Sequence, residues 1–342
     1  MLCSECFQDQ GLKLLAQRIG IEKLENCSNC FKSNGIKLSY EQIEHLAYRF
    51  FVVGSILKSD YGAAPYIQFN EYQKTSVDFV NPLRKDVKLF EKTLGIGFFH
   101  YGPRLWMVGE IEPLNDLRTK STRNEMFERI LKEYPSVSLK SSDLFYRIRV
   151  NPEYPNREPE YDSPPNPGNG RFGGENFPIL YGSQDLEVCI HECRVTVEDD
   201  IYVATIKPRK KLKLLDLTEL IEENCPEFES LDLSIQMLFL AGKHSYEISK
   251  EMSLRVKAEN FDGIIYPSFF SLIRTGRVLF PTVYGISARK ISMYRNIEKT
   301  ATIQNIALFG RPLKDKKVEV ININKLGLNR IIYDYNFGPV KA

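Results

Sequence analysis

The 342-residue chain lacks any apolar run near the roughly eighteen residues that a membrane-spanning helix needs, so no helical membrane span is expected. It also lacks an excess of either charge. Lys and Arg number 46 against 44 Asp and Glu, a net +2, which argues against both the basic footprint of a nucleic-acid binder and an acidic tail. The start, Met-Leu-Cys-Ser-Glu-Cys, lacks a basic head and an apolar stretch, so no signal peptide is expected and the plain reading is a cytoplasmic protein. No internal repeat is present. No G-x-G-x-x-G follows a strand, so Gly173-Gly174 is not a dinucleotide phosphate loop. Residues 40–138 hold no catalytic constellation, and Trp106 and His100 read as a core tryptophan and an incidental histidine. A length of 342 residues leaves room for two or three domains with a core that needs no disulfides, and 43% hydrophobic residues is ordinary for a soluble globular protein.

What is present begins with cysteine. Four of the seven lie in the first thirty residues, as Cys3-x-x-Cys6 and Cys27-x-x-Cys30. Each turn can aim two thiolates at one ion, and the two together complete a tetrahedral sulfur site suited to structural zinc. Disulfides, or a redox or iron–sulfur role, are the alternatives. Metal binding would supply much of the folding free energy of so small a unit. The apolar stretch between the pairs, 11–20, is no basic reading head.

Ser39-x-x-Gln42 is a capping box ahead of Ile43, Leu46, Ala47, Phe50 and Phe51 at helical spacing. Thr122-x-x-Glu125 predicts another helix, stopped at Pro135. Residues 96–101 and 105–108 read as strands, and Pro208-Arg-Lys-Lys211 as a solvated hairpin turn. The segment 151–178, rich in proline, glycine and acidic residues, cannot be regular helix or central strand. It is either a lid or a loop in water.

The second half carries a scattered set: Phe-Tyr-Arg at 145–147, Gly-Arg-Phe at 170–172, Tyr181, Glu192, and Asp-Gly-Ile-Ile-Tyr-Pro-Ser at 262–268. In this order the pieces resemble the RES domain over roughly residues 140–290, and a cysteine-rich lead resembles the segment ahead of some RES domains. That resemblance implies NAD⁺ consumption and a mixed-sheet α+β fold related to the ADP-ribosyltransferases. The chain then divides into a zinc module at 1–38, a helical and mixed region at 39–138, a RES-like catalytic domain at 139–295 and a β-rich extension at 296–342. Strands are expected at 278–281, 318–323 and 330–333, the last two without chemistry.

Cleaving the nicotinamide–ribose bond requires stabilising a ribosyl oxocarbenium ion, a task for a fixed carboxylate. Glu192 holds the family's glutamate position. Leu186, Cys189, Ile190 and Cys193 form a stripe on its helix, with Glu192 at the edge of the buried face. Arg147 holds the arginine position and is expected to meet the pyrophosphate; Arg149, two residues on, points to the same face. Arg171 is a second phosphate candidate, and Tyr181 is placed to stack on nicotinamide. Ser268 is expected to hydrogen-bond ribose or phosphate, not to act as an activated nucleophile. Ser249 is its rival, although Lys250 stands where the family usually has glutamine, and Glu175 departs from the family's Gly-Arg-Trp-Asn. His191 reads as incidental. The implied function is an NAD⁺ phosphorylase or glycohydrolase, with a toxin or defence role and a neutralising antitoxin by analogy. The alternatives are an ADP-ribosyltransferase acting on a protein target, or an inactive nucleotide- or partner-binding domain.

Overall fold

The computed structural model describes residues 1–164, 168, 170–174, 176–278 and 280–340. The chain forms two compact units. One comprises Met1–Lys58, Ala63–Arg104 and the tail from Tyr333; the other comprises Ser59–Gly62 and Leu105–Ile332. Among the described residues no helix is long and apolar enough to cross a membrane.

The first unit opens with β1 (Leu2–Cys3), antiparallel to β2 (Lys37–Leu38), and holds α1 (Gln10–Ile19), α2 (Tyr40–Ala47) and α3 (Leu83–Leu94). Two small antiparallel pairs complete it: β3 (Ile56–Lys58) with β4 (Ala63–Pro65), and β5 (Ile67–Asn70) with β6 (Gly97–His100). The capping box of α2 is closed in both directions: Gln42 N–H donates to Ser39 Oγ, and Ser39 N–H to Gln42 Oε1. Its apolar face enters a core where Phe51 lies 4.2 Å from Phe98 and 5.6 Å from Phe90, ring centre to ring centre. The tail is bound into this unit through Arg18 to Asp334 and Arg49 to Asn336. Gly54 and Gly338 allow their backbones to touch, since a Cβ on Gly338 would lie 2.1 Å from the Gly54 carbonyl oxygen. Residues 330–333, expected as a strand, have no regular structure.

The second unit is built on an eight-stranded sheet in the order β16-β10-β8-β9-β15-β12-β11-β7. Its strands are β7 (Ser136–Leu139), β8 (Phe145–Val150), β9 (Ile179–Ser183), β10 (Ile201–Pro208), β11 (Leu212–Asp216), β12 (Gly263–Pro267), β15 (Gln304–Phe309) and β16 (Val318–Leu326); β13 (Thr282–Val283) and β14 (Ile286–Ser287) form a separate hairpin. Only β11–β12 is parallel, so the sheet is mixed, as expected. The helices are α4 (Glu112–Arg118), α5 (Arg123–Glu133), α6 (Leu186–Cys193), α7 (Leu231–Leu240), α8 (Tyr246–Ala258), α9 (Ser271–Thr275) and α10 (Arg295–Ala301).

Two features of this sheet shape the site. First, β10 and β11 stand second and seventh in the order, yet only residues 209–211 join them. A connection that short spans at most about 14 Å, whereas flat strands at those positions would lie about 24 Å apart. The sheet must therefore curl, and its concave core gathers Phe145, Leu180, Ile206, Leu214, Ile265 and Leu308. The expected hairpin at 208–211 is not formed; the turn crosses between distant strands. Second, the two halves of the sheet meet at β8 and β9 through one residue pair, Tyr146 with Ser183.

Three more expectations are corrected. Residues 105–108 form a short 3-10 helix, with Trp106 buried. Thr122 precedes α5 as expected, without a side-chain cap bond; its hydroxyl donates back to the carbonyls of Asp116 and Thr119. The described residues of 278–281 are not a strand. Strands β15 and β16, placed by sequence in an extension, are members of the sheet.

Candidate active site

Asp185 starts α6 by accepting the Val188 N–H at 2.9 Å, and Arg194 ends it in the left-handed conformation, with φ 51°. Val188 and Cys189 are the buried residues of this helix, while Cys193, expected in the buried stripe, is exposed. Next to last in the helix stands Glu192. Its side chain is exposed, but its Oε1 turns inward and accepts two hydrogen bonds, from Ser268 Oγ at 2.7 Å and Asn305 Nδ2 at 2.6 Å.

The two donors reach Glu192 from different elements. Ser268 follows β12, is 3% exposed, and is fixed by its own N–H on the Ile303 carbonyl and by the Phe270 N–H on its Oγ. Its hydroxyl proton is thus committed to a carboxylate 76 residues away in sequence. Asn305 lies on β15, also 3% exposed, between Gln304 and the apolar run from Ile306 to Phe309. Sequence reading missed it; the signal was the polar pair Gln304-Asn305 opening an apolar strand, since a buried polar group without a partner is costly. In the ladder Asn305 stands opposite Tyr266 on one side and Ser183 on the other. The Tyr266 hydroxyl is pushed well up by burial and then by the Glu192 charge. A small cavity borders Ser268, with Ser271, Thr218, Gln236 and Glu298 among its walls.

Arg147 is brought to a different place. Tyr146 shares a face with Ser183, and so with Asn305 and Tyr266; Arg147 and Arg149 therefore point to the opposite face. There, Arg147 donates to the main-chain carbonyls of Tyr181 (2.7 Å) and Asp162 (3.2 Å), across the joint between β8 and β9. Arg149 donates to the carbonyls of Glu160 (2.7 Å) and Asp162 (2.5 Å). Both same-strand arginines share a face, as expected, but their described bonds are to carbonyls. Burial, with Arg149 beside it, pulls Arg147 down to about 9.

The acidic segment that these arginines grip is in part a built plug. Tyr161, Asp162 and Ser163 are buried, and the Asp162 carboxylate accepts the N–H groups of Ser163, Leu313 and Lys314. Glu158 and Glu153 are exposed.

Arg171 donates to the carbonyls of Leu238, Phe239 and Ala241, each at 3.2 Å, at the C-terminal end of α7, where a cation complements the helix dipole. Its guanidinium also lies 4.9 Å from the Tyr246 ring centre. The Tyr181 hydroxyl accepts the Phe172 N–H at 3.0 Å, and burial raises its proton affinity. Ser249 is fully buried in α8 and donates to the Ser245 carbonyl at 3.5 Å. The α8 serine that reaches the Gly-Arg-Phe segment is Ser253, on the Phe172 carbonyl. His191 stacks on Phe270. Glu175 lies outside the described residues.

In the first unit, the sulfurs of Cys3, Cys6, Cys27 and Cys30 all lie within 4.8 Å of one another. Neighbouring pairs are 3.5 to 3.7 Å apart. Tetrahedral bonds of about 2.3 Å put sulfurs about 3.8 Å apart, so the donor set fits one such ion. Asn29 supports two of the sulfurs, its N–H on Cys27 and its amide on Cys6. The loop ahead of β2 is drawn together by Lys37, whose buried Nζ donates to the carbonyls of Ser33, Asn34 and Gly35.

Residues 144–284 match the RES domain family model. Among solved structures, the M. tuberculosis MbcT–MbcA toxin–antitoxin complex is similar at 13% identity and a TM-score of 0.32, over 58% of this chain and 91% of that one. No curated protein matches the chain.

Proposed function

We propose that the RES domain of this protein consumes NAD⁺ by cleaving the bond between ribose C1′ and the nicotinamide nitrogen. The electron pair of that bond goes to the nitrogen, nicotinamide leaves neutral, and positive charge passes to the ribosyl carbon. An oxygen acceptor then adds to C1′ and loses a proton. With phosphate as acceptor the protein is an NAD⁺ phosphorylase, with water a glycohydrolase. The observation that carries this reading is the convergence of Ser268 and Asn305 on one oxygen of Glu192, which holds a carboxylate in fixed geometry for a developing cation.

In this reading Glu192 is the catalytic residue and Ser268 orients it. Arg147 and Arg149 frame the site by holding the β8–β9 joint and the Tyr161–Ser163 plug. Arg171 and Tyr181, with Ser249 behind them in α8, form the cofactor-facing set. The cysteine knuckle holds structural zinc. A neutralising antitoxin, or a protein that receives ADP-ribose, is the proposed partner. One observation favours a second reading, a domain that binds a nucleotide without turnover: the described bonds of all three arginines go to main-chain carbonyls. Incubating the purified chain with NAD⁺, with and without phosphate, separates the two. Nicotinamide release by wild type that Glu192→Ala reduces by about 10³-fold or more is the expected result. NAD⁺ binding with no nicotinamide from either protein would favour the binding reading.

A further inference from the structure

Resting on that reading, we propose that Asn305 is a positioning residue that fixes Glu192 and divides the labour of its two oxygens. Glu192 is the next-to-last residue of an eight-residue helix, on a flexible side chain that is exposed as a whole. Nothing in α6 itself would hold such a carboxylate in one rotamer. The sheet and the loop after β12 do so together: Asn305 and Ser268 both donate to Oε1. The two bonds differ in firmness. Ser268 stands in the loop after β12 and donates through a single rotatable hydroxyl. Asn305 stands on β15, between β9 and β12, and its planar amide is buried with the backbone on either side paired in the ladder. Oε1 therefore belongs to the protein. Oε2 is the oxygen presented outward, to ribose and to the charge that develops at C1′. A buried amide fits that purpose, because its burial cost is offset by hydrogen bonding and the bond to a carboxylate is the stronger kind.

The test measures initial rates of nicotinamide release for wild type, Asn305→Ala, Glu192→Gln and the double variant, with thermal unfolding to show that each is folded. Misplacing the carboxylate by about 1 Å lowers kcat by about 10²-fold, with KM for NAD⁺ little changed. On the residual rate of Glu192→Gln, Asn305→Ala adds little, because it acts through Glu192. Asn305→Ala at wild-type rate, or an equal loss in both backgrounds, overturns the proposal. If wild type releases no nicotinamide, the NAD⁺ reading fails on its own, and crystal structures of wild type and Asn305→Ala decide the positioning. A Glu192 side chain that leaves Ser268 or adopts several rotamers in the variant supports it; an unchanged carboxylate contradicts it.

Discussion

Arg147 shows how a residue of a functional motif can be committed to architecture. Its guanidinium is buried, its Nε has no partner among the described residues, and its other nitrogens are bound by carbonyls on β9 and on the Tyr161–Ser163 plug. A charge so buried is held by those dipoles, with the Asp162 charge also in its favour. Lysine keeps the charge but not the fork, so Arg147→Lys strands at least one carbonyl. The expected cost is about 1–3 kcal/mol of stability, measured by denaturant unfolding. An unchanged midpoint would show that the fork carries no weight. The same residue shows what sequence could convey. Strand periodicity placed Arg147 and Arg149 together on one face. It could not say which face, because that depends on the pairing of Tyr146 with Ser183, a contact 37 residues apart in sequence. Glu192 and Ser268 were legible from their motifs; Asn305 was not, since a single amide becomes informative only when β15 is known to lie beside β12.

At the scale of elements, the cysteine knuckle was the most legible feature, because C-x-x-C fixes its own local geometry and the four sulfurs meet as the spacing implies. The account predicts one zinc per chain by elemental analysis of protein prepared without chelator. Removal with a strong chelator should abolish the folded signal of Phe7, Cys27 and their neighbours in the first-unit core, because binding free energy is folding free energy in such sites. Metal-free protein with an unaltered unfolding profile would contradict this. Both helix starts were legible, although their cap chemistry differs. Ser39 and Gln42 close their box, whereas the Thr122 hydroxyl finds the carbonyls of the preceding turn nearer than the N–H groups ahead. Short apolar runs such as 105–108 satisfy strand and 3-10 helix alike, and only a pairing partner decides between them.

At the scale of the whole molecule, the mixed sheet was foreseen in class but its closure was not. The short link from β10 to β11 forces a curl that only the full strand order reveals, and that curl gathers residues from 145 to 308 around one core. The late strand β15 then enters the middle of the sheet and supplies Asn305 to a carboxylate from α6. The most direct measurement is a crystal structure of Glu192→Gln soaked with NAD⁺, a variant expected to bind but not to cleave. The account predicts the nicotinamide ribose at the residue-192 side chain, with Ser268 and Asn305 still against it. NAD⁺ bound elsewhere on the chain, or no binding at saturating concentration, would contradict it.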